Sequence, residues 1–228
     1  MKSLNQYITE KLKVSKKQYN YCPQTRKELD DLLYQLLEER GWEADLNDID
    51  TSNITDMSEL FVRHSKLNCN ISDWDVSNVT NMEYMFGGCL NFEGKGLENW
   101  NVSNVLDMSG MFINCKKLDC DLSNWDVSSL ENTDSLFYGC EKFKGKGLEN
   151  WDVSNITNME FMFYKCESFE GKGLENWDVS NVTNIECMFY DCKNLDCDLS
   201  NWDVSNVTKY DNIFYKCPIK DKYKPKFR

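Results

Sequence analysis

Residues 74–89 read Trp-Asp-Val-Ser-Asn-Val-Thr-Asn-Met-Glu-Tyr-Met-Phe-Gly-Gly-Cys, and variants of this stretch recur along most of the 228-residue chain. Tryptophan opens the full copies, and Ile49 takes its place in a degenerate first copy. The copies begin at Ile49, Trp74, Trp100, Trp125, Trp151, Trp177 and Trp202, so the steps are 25, 26, 25, 26, 26 and 25 residues. A fixed period of roughly 20 to 50 residues is typical of stacked repeat units. We therefore expect an α/β repeat solenoid, similar to leucine-rich repeats, with about seven coils across residues 43–217.

Each copy predicts a strand, a turn and a short helix. Trp-Asp-Val should be a strand with tryptophan and valine inward and aspartate outward, because strand side chains alternate. Residues 80–83 match a capping box, which is a start signal for a helix. Apolar residues then follow at helical spacing, at Met82, Met85, Phe86 and Cys89. Stacked coils would place a parallel sheet on one face and short helices on the other.

The segments that flank the repeats are expected to cover or extend their ends. Residues 26–40 are predicted to be a helix, because a capping box at residues 25–28 is followed by leucines at helical spacing, and Gly41 is a natural stop. This helix would cap the apolar end of the solenoid. The predicted domains are therefore an N-terminal arm and capping helix at 1–42, the solenoid at 43–217, and a basic tail at 218–228 that is solvated or loosely packed.

The composition limits which classes of partner and which cellular compartment we expect. The formal net charge of −12 repels nucleic acid and anionic membranes and attracts basic partners. The first residues contain no apolar run that suits a signal peptide, and no stretch reaches the ~20 apolar residues of a membrane span. Residues 1–24 suggest only a short helix or a docking arm, with Ile8, Leu12 and Val14 scattered among charged residues. We expect a cytoplasmic or virus-associated protein.

Cysteines recur at two fixed places in the repeat. One set ends the apolar stripe, at Cys89, Cys115, Cys140, Cys166, Cys192 and Cys217; the other lies in short return loops, at Cys69, Cys120 and Cys197. Stacking would bring equivalent thiols within roughly 5 Å, which raises disulfides or a thiolate metal site as possibilities. Parallel side chains need not meet disulfide geometry, and the Cys-x-x-Cys spacing of zinc sites is absent. The favoured interpretation is a ladder of reduced thiols that pack as small apolar groups.

The candidate binding surface is a row of aspartates on the outward side of the predicted strands. The residues are Asp75, Asp126, Asp152, Asp178 and Asp203, with Ser77, Ser128, Ser154 and Ser180 two positions further on. Carboxylates about 5 Å apart repel by roughly 1 kcal/mol per neighbour in water, so something must offset the charge. Three interpretations remain open: hydrogen bonds within the repeat, recognition of a cationic protein surface, and bound calcium. Calcium is the weakest of these, because no EF-hand loop is present.

The repeat resembles a known family. The phrase Trp-Asp-Val-Ser-Asn-Val-Thr-Asn-Met-x-x-Met-Phe-x-x-Cys stands at 74–89, and close variants stand at 100–115, 151–166 and 177–192. It is similar to the BspA-like leucine-rich-repeat surface proteins over about residues 43–217. The resemblance implies a leucine-rich-repeat solenoid that binds other proteins, often at a cell surface, in bacteria and in viruses. The family supplies no catalytic residues.

The sequence therefore predicts a non-enzymatic protein-binding module without a cofactor or metal. No nucleophile elbow, phosphate-binding loop or dinucleotide fingerprint is present, and the regular carboxylates indicate architecture rather than one acid–base pair. We expect a protein partner with a basic surface and no direct nucleic-acid binding. The alternative is an acidic mimic of nucleic acid that blocks a DNA- or RNA-binding enzyme. The oligomeric state stays open.

Overall fold

The computed structural model describes residues 18–227, so most of the arm proposed at residues 1–24 lies outside the described residues. Neighbouring repeat units lie side by side in sequence order. Equivalent residues form single parallel bridges, at Asp56–Asn81, Asn81–Asp107, Asp107–Asn132, Asn132–Asn158, Asn158–Asn184 and Asn184–Lys209. Each bridge joins positions 25 or 26 residues apart, so every unit contacts the next at the same place.

Turns replace the short helices that the apolar spacing predicts. In residues 82–89 the backbone amides alternate between two kinds of acceptor. The amides of Met82, Tyr84 and Phe86 donate to carbonyls of the following unit, whereas those of Met85 and Cys89 donate to carbonyls three residues back in their own unit. Tyr84 has a φ of 50°, in the left-handed region, and other units repeat this feature. Residues 82–89 and their equivalents in the other units therefore form consecutive turns that are hydrogen-bonded to the next unit, and we call them the turn series.

The predicted sheet of Trp-Asp-Val strands is also not formed. Residues 18–227 contain no β-strand, and their parallel pairing is limited to isolated bridges, of which only the one between Tyr21 and Ile49 involves the tryptophan position of a copy. Trp74 and Val79 instead donate their amides to carbonyls three residues back, which is turn geometry. The predicted alternation of side chains nevertheless holds, because Trp74 and Val76 are buried and Asp75 is exposed.

Helix α1 spans Arg26–Arg40, as the sequence predicts. The Thr25 hydroxyl accepts a hydrogen bond from the amide of Glu28 at 3.2 Å, and the amide of Gly41 donates to the Leu37 carbonyl. One face of the helix is buried in the same core as the repeats, through Leu29, Leu33, Leu36 and Leu37. Four 3₁₀-helices follow along the chain, at Leu97–Asn99, Leu148–Asn150, Leu174–Asn176 and Asp221–Tyr223.

The core consists of ladders of equivalent side chains. Phenylalanines from neighbouring units stack with ring centroids 5.5 to 5.8 Å apart, at Phe61, Phe86, Phe112, Phe137, Phe163, Phe189 and Phe214. The repeat tryptophans are 2 to 5% exposed, and each indole N–H donates to a backbone carbonyl of an earlier unit. The ladder cysteines donate their thiols to the phenylalanine carbonyls of the preceding unit. The indole and thiol donors of the core therefore find their acceptors in a neighbouring unit.

The C-terminal residues pack against the last unit rather than fraying. Ile219 is 5% exposed, and the Phe227 ring stacks on Tyr210 at 4.4 Å. The amide of Leu199 donates to the Tyr223 carbonyl at 2.8 Å. Residues 219–227 thus cover part of the last unit. None of the helices within residues 18–227 has the length and apolar character needed to span a membrane.

Candidate functional site

The aspartates of the predicted binding surface are exposed and held in turns. Asp75 illustrates the arrangement: its Oδ1 accepts the amide of Ser77 at 3.0 Å and the Ser77 hydroxyl at 2.6 Å. The amides of Ser128, Ser154, Ser180 and Ser205 make the same bond to Asp126, Asp152, Asp178 and Asp203. We call Asp75, Asp126, Asp152, Asp178 and Asp203 the acidic row. Hydrogen bonding within the repeat, the first of the three interpretations, therefore accounts for Oδ1 of each aspartate in the acidic row.

The backbone around each aspartate is anchored on both sides. Trp151 and Val153, which flank Asp152, are 4% and 1% exposed, so the aspartate sits between two buried anchors. The Asn155 side chain then donates to the Ser128 carbonyl of the preceding unit at 2.7 Å. Because this pattern repeats, the carboxylates are displayed at regular intervals on a backbone with little freedom.

The serine bonds also favour the charged form of the carboxylates. The hydroxyl and amide of Ser128 hold the pKa of Asp126 below its usual range, and those of Ser180 do the same for Asp178. Both groups donate hydrogen bonds to the ionised carboxylate, which stabilises it relative to the protonated form. Asp126 and Asp178 are therefore ionised at neutral pH.

The lysines of the protein neutralise other surfaces. Within residues 18–227 the ion pairs of the repeats engage Glu93, Asp119, Asp121, Glu141, Glu167, Glu170 and Asp196. Lys95, Lys146 and Lys172, in the Gly-Lys-Gly loops, are ion-paired with Glu93, Asp121 and Glu170. No lysine or arginine of the described residues forms a salt bridge with Asp75, Asp126, Asp152 or Asp178. Within residues 18–227 these four carboxylates therefore form a negative surface that no ion pair neutralises.

The sequence interpretation missed two further surface rows. Tyr138, Tyr164, Tyr190 and Tyr215 stack in sequence order with ring centroids 4.5 to 4.8 Å apart on the outside of the turn series. A second set of carboxylates lies in the turn series itself, where burial raises the pKa of Glu83 and of Asp134. The recurrent tyrosine two residues before the cysteine was the available signal for the first row. The sequence places Glu83 in a predicted capping box and carries no comparable signal for Asp134.

Residues 18–227 contain no cluster of three or more His, Cys, Asp or Glu side chains placed to hold a metal ion. All of the cysteines in this part of the chain are free thiols. Cys69, Cys120 and Cys197, the return-loop set, are buried, and burial raises the pKa of each to about 12. A neutral thiol is a poor metal ligand, since the thiolate is the binding form.

Comparison with known proteins gives one match. A family model described as a Mycoplasma protein of unknown function, DUF285, matches residues 31–147 and 134–223. The two matched segments together cover the distal part of α1 and all of the repeat units. No curated protein and no solved structure matches the chain.

Proposed function

The chain belongs to the DUF285 family, and from this premise we propose that it is a leucine-rich-repeat-like solenoid of the BspA type that binds a protein partner without catalysis. The partner would contact the acidic row through basic side chains. One observation carries the proposal: Asp75, Asp126, Asp152 and Asp178 are exposed, and no lysine or arginine within residues 18–227 forms a salt bridge with them.

Hydrogen-bond geometry leaves these carboxylates available for a partner. The serine bonds of Asp75, Asp126 and Asp152 engage Oδ1, so Oδ2 can accept a lysine ammonium or an arginine guanidinium. Repetition adds to the effect, because several weak charge pairs on one rigid scaffold bind together more strongly than one pair. Charge complementarity of this kind mainly raises the association rate and the specificity.

The third unit supplies the substitution that tests the proposal. Asn101 takes the aspartate position there, and its Oδ1 accepts the Ser103 amide at 3.2 Å and the Ser103 hydroxyl at 2.8 Å. Replacing aspartate by asparagine therefore removes the charge and preserves the turn. The test variant is Asp126→Asn, Asp152→Asn and Asp178→Asn combined. We expect it to fold normally and to lose partners that the unaltered protein retains from a lysate of its source cells.

A matched control changes the same charge elsewhere. Glu141→Gln, Glu167→Gln and Glu170→Gln remove three carboxylates that are already paired with Lys116, Lys193 and Lys172. This variant should retain the partners that the test variant loses. Binding should also weaken as salt rises, because exposed charge pairs are screened. Equal retention by both variants would exclude the acidic row as the binding surface.

The partners captured in this experiment also distinguish protein binding from the alternative function, mimicry of nucleic acid. A nucleic-acid mimic would be displaced from its target by duplex DNA or RNA at low salt, since both compete for one basic site. A partner that binds no nucleic acid, or that stays bound in its presence, contradicts the mimic and leaves the protein-binding proposal in place.

A further inference from the structure

Cys217 ends the main cysteine ladder and differs from the other members in its exposure. Cys89, Cys115, Cys140, Cys166 and Cys192 are 0% exposed, whereas Cys217 is half-buried. The difference follows from position, because the unit of Cys217 is the last one within residues 18–227, and residues 219–227 cover it only in part. A soluble reagent can therefore approach Cys217 from solvent but not the interior thiols.

Cys192 lies directly beside Cys217 in the preceding unit. The two thiols donate to the carbonyls of Phe163 and Phe189, and the rings three residues before the cysteines, Phe189 and Phe214, stack with centroids 5.8 Å apart, so the cysteines hold equivalent places in adjacent units. Beside the cysteines the two backbones are hydrogen-bonded, from the Asp191 amide to the Tyr215 carbonyl at 2.8 Å. Parallel backbones paired in this way lie about 4.8 Å apart, within the range of about 4.4 to 6.8 Å between the Cα atoms of disulfide-bonded cysteines. Interior neighbours have similar spacing, so what distinguishes this pair is that one member reaches solvent.

The two ends of the ladder also differ in how easily a thiol ionises. Burial raises the pKa of Cys89 to about 12 and holds those of Cys115 and Cys140 well above their usual range. The pKa of Cys217 is lowered instead, because the side chain of Cys192 interacts with it and its own burial is incomplete. Because the thiolate is the nucleophile, both ionisation and access favour reaction at Cys217.

We propose that Cys217 and Cys192 are a modification site at which a hydroperoxide forms an intramolecular disulfide, with Cys217 as the attacking thiol and Cys192 as the resolving thiol. This inference is independent of the proposed binding function. The remaining ladder cysteines stay reduced, because they are sealed within the core.

The reaction balances in two steps. The Cys217 thiolate attacks one oxygen of the hydroperoxide, so a sulfur–oxygen bond forms, the oxygen–oxygen bond breaks, and an alcohol leaves after taking up a proton; hydrogen peroxide gives water instead. The Cys192 thiol then attacks the sulfenic sulfur, so a disulfide forms and hydroxide leaves as water with the thiol proton. In total, two thiols are oxidised by two electrons and one hydroperoxide is reduced.

The test uses the full, reduced chain and hydrogen peroxide as the probe. Samples are quenched over time, remaining thiols are alkylated, and each cysteine is quantified by peptide mass spectrometry under non-reducing conditions. We expect Cys192 and Cys217 to lose free thiol together, on the order of tenfold faster than Cys140, with a linked peptide pair. Oxidation of Cys217 no faster than Cys140, or its linkage to any thiol other than Cys192, would overturn the proposal.

Variants separate the two roles. In Cys192→Ser the hydroxyl can still donate to the Phe163 carbonyl, as the thiol does at 2.9 Å, and Cys217 should stop at a sulfenic acid that dimedone traps. In Cys217→Ser, Cys192 should stay reduced. The matched control is Cys166→Ser, an interior ladder position with the same thiol-to-carbonyl bond, which should leave the linked pair unchanged. Loss of the pair in the control, or oxidation of Cys192 without Cys217, would contradict the assignment.

Discussion

The asparagine four residues after each opening tryptophan ties its unit to the preceding one. The side-chain amides of Asn78, Asn104, Asn155, Asn181 and Asn206 donate to serine carbonyls one unit earlier, at 2.7 to 2.8 Å. The fourth unit has Ser129 at this position, so the Ser103 carbonyl lacks the equivalent donor. The asparagine side chain thus forms the same hydrogen bond between successive units, except at the fourth unit, where serine replaces it.

Restoring the missing asparagine should stabilise the protein. Ser129→Asn would supply the side-chain donor to the Ser103 carbonyl, and a net intramolecular hydrogen bond contributes about 0.5 to 1.5 kcal/mol. Asn155→Ala removes the equivalent bond and should cost a similar amount. The free energies of unfolding in urea, measured for both variants, check the prediction. A loss of stability in Ser129→Asn would mean that the bond does not control this position.

The acidic row shows how far residue-level reasoning from the sequence extends. The burial of Trp74 and the exposure of Asp75 follow from the alternation of the pattern, and bonding to serine was one of the open interpretations. That no lysine within residues 18–227 is ion-paired with Asp75, Asp126, Asp152 or Asp178 does not follow from the sequence, because it depends on where the return loops fold. Lys146, for example, is paired with Asp121, 25 residues earlier.

At the scale of elements, α1 was predictable and the turn series was not. Helix α1 has a local start signal at Thr25 and a local stop at Gly41, so its bounds are encoded within one segment. The stripe in residues 82–89 has the same apolar spacing as a helix, but half of its amides bond to another unit. Asn81 accepts the Glu83 amide two residues on, which is an Asx turn rather than a helix cap. Neither feature is visible from one unit alone.

The Gly-Lys-Gly loops show what a close approach between units requires. Gly147 has a φ of 96°, and a Cβ added there would lie 2.2 Å from the Ser123 backbone nitrogen. Gly173 has a φ of 87°, and an added Cβ would lie 2.3 Å from the Glu149 Cβ. Only glycine allows both the left-handed conformation and the contact. Each of these glycines begins a 3₁₀-helix that leads into a buried tryptophan.

Gly147→Ala should therefore be more costly than Gly41→Ala. Gly41 has a φ of 86° and a ψ of 174°, a region populated almost only by glycine, but no atom lies within 4 Å of an added Cβ. Alanine there therefore costs only the backbone strain, about 1 to 3 kcal/mol. Gly147→Ala adds a backbone clash, and we expect a total of about 3 kcal/mol or more. Thermal and urea unfolding of the two variants separate the cost of the backbone conformation from the cost of the clash with Ser123. Equal costs would show that the loop can move away from Ser123.

At the scale of the whole molecule, one core runs from α1 through the repeats to the C-terminal residues. Buried residues from Leu29 to Ile219 belong to a single cluster. Within residues 18–227, each ring of the phenylalanine ladder contacts only rings of its own unit or of the adjacent units. Stability should therefore be a sum of unit terms and nearest-neighbour terms, as in other repeat proteins. In such a molecule the effect of a substitution depends on its distance from the ends.

Phe137→Ala and Phe214→Ala test this dependence. Phe137 is fully buried and stacks on Phe112 and Phe163, both at 5.7 Å, and on Phe143 at 4.2 Å, so alanine should cost about 3 to 5 kcal/mol. Phe214 is half-buried, and within residues 18–227 its ring stacks on Phe189 alone, with Lys224 over its face, so the same change should cost about 1 to 2 kcal/mol. Amide hydrogen exchange should show protection lost in the last units alone for Phe214→Ala, and on both sides of the fourth unit for Phe137→Ala. If Phe214→Ala instead lowered protection uniformly along the chain, the units would be unfolding as one cooperative body, and coupling would extend well beyond nearest neighbours.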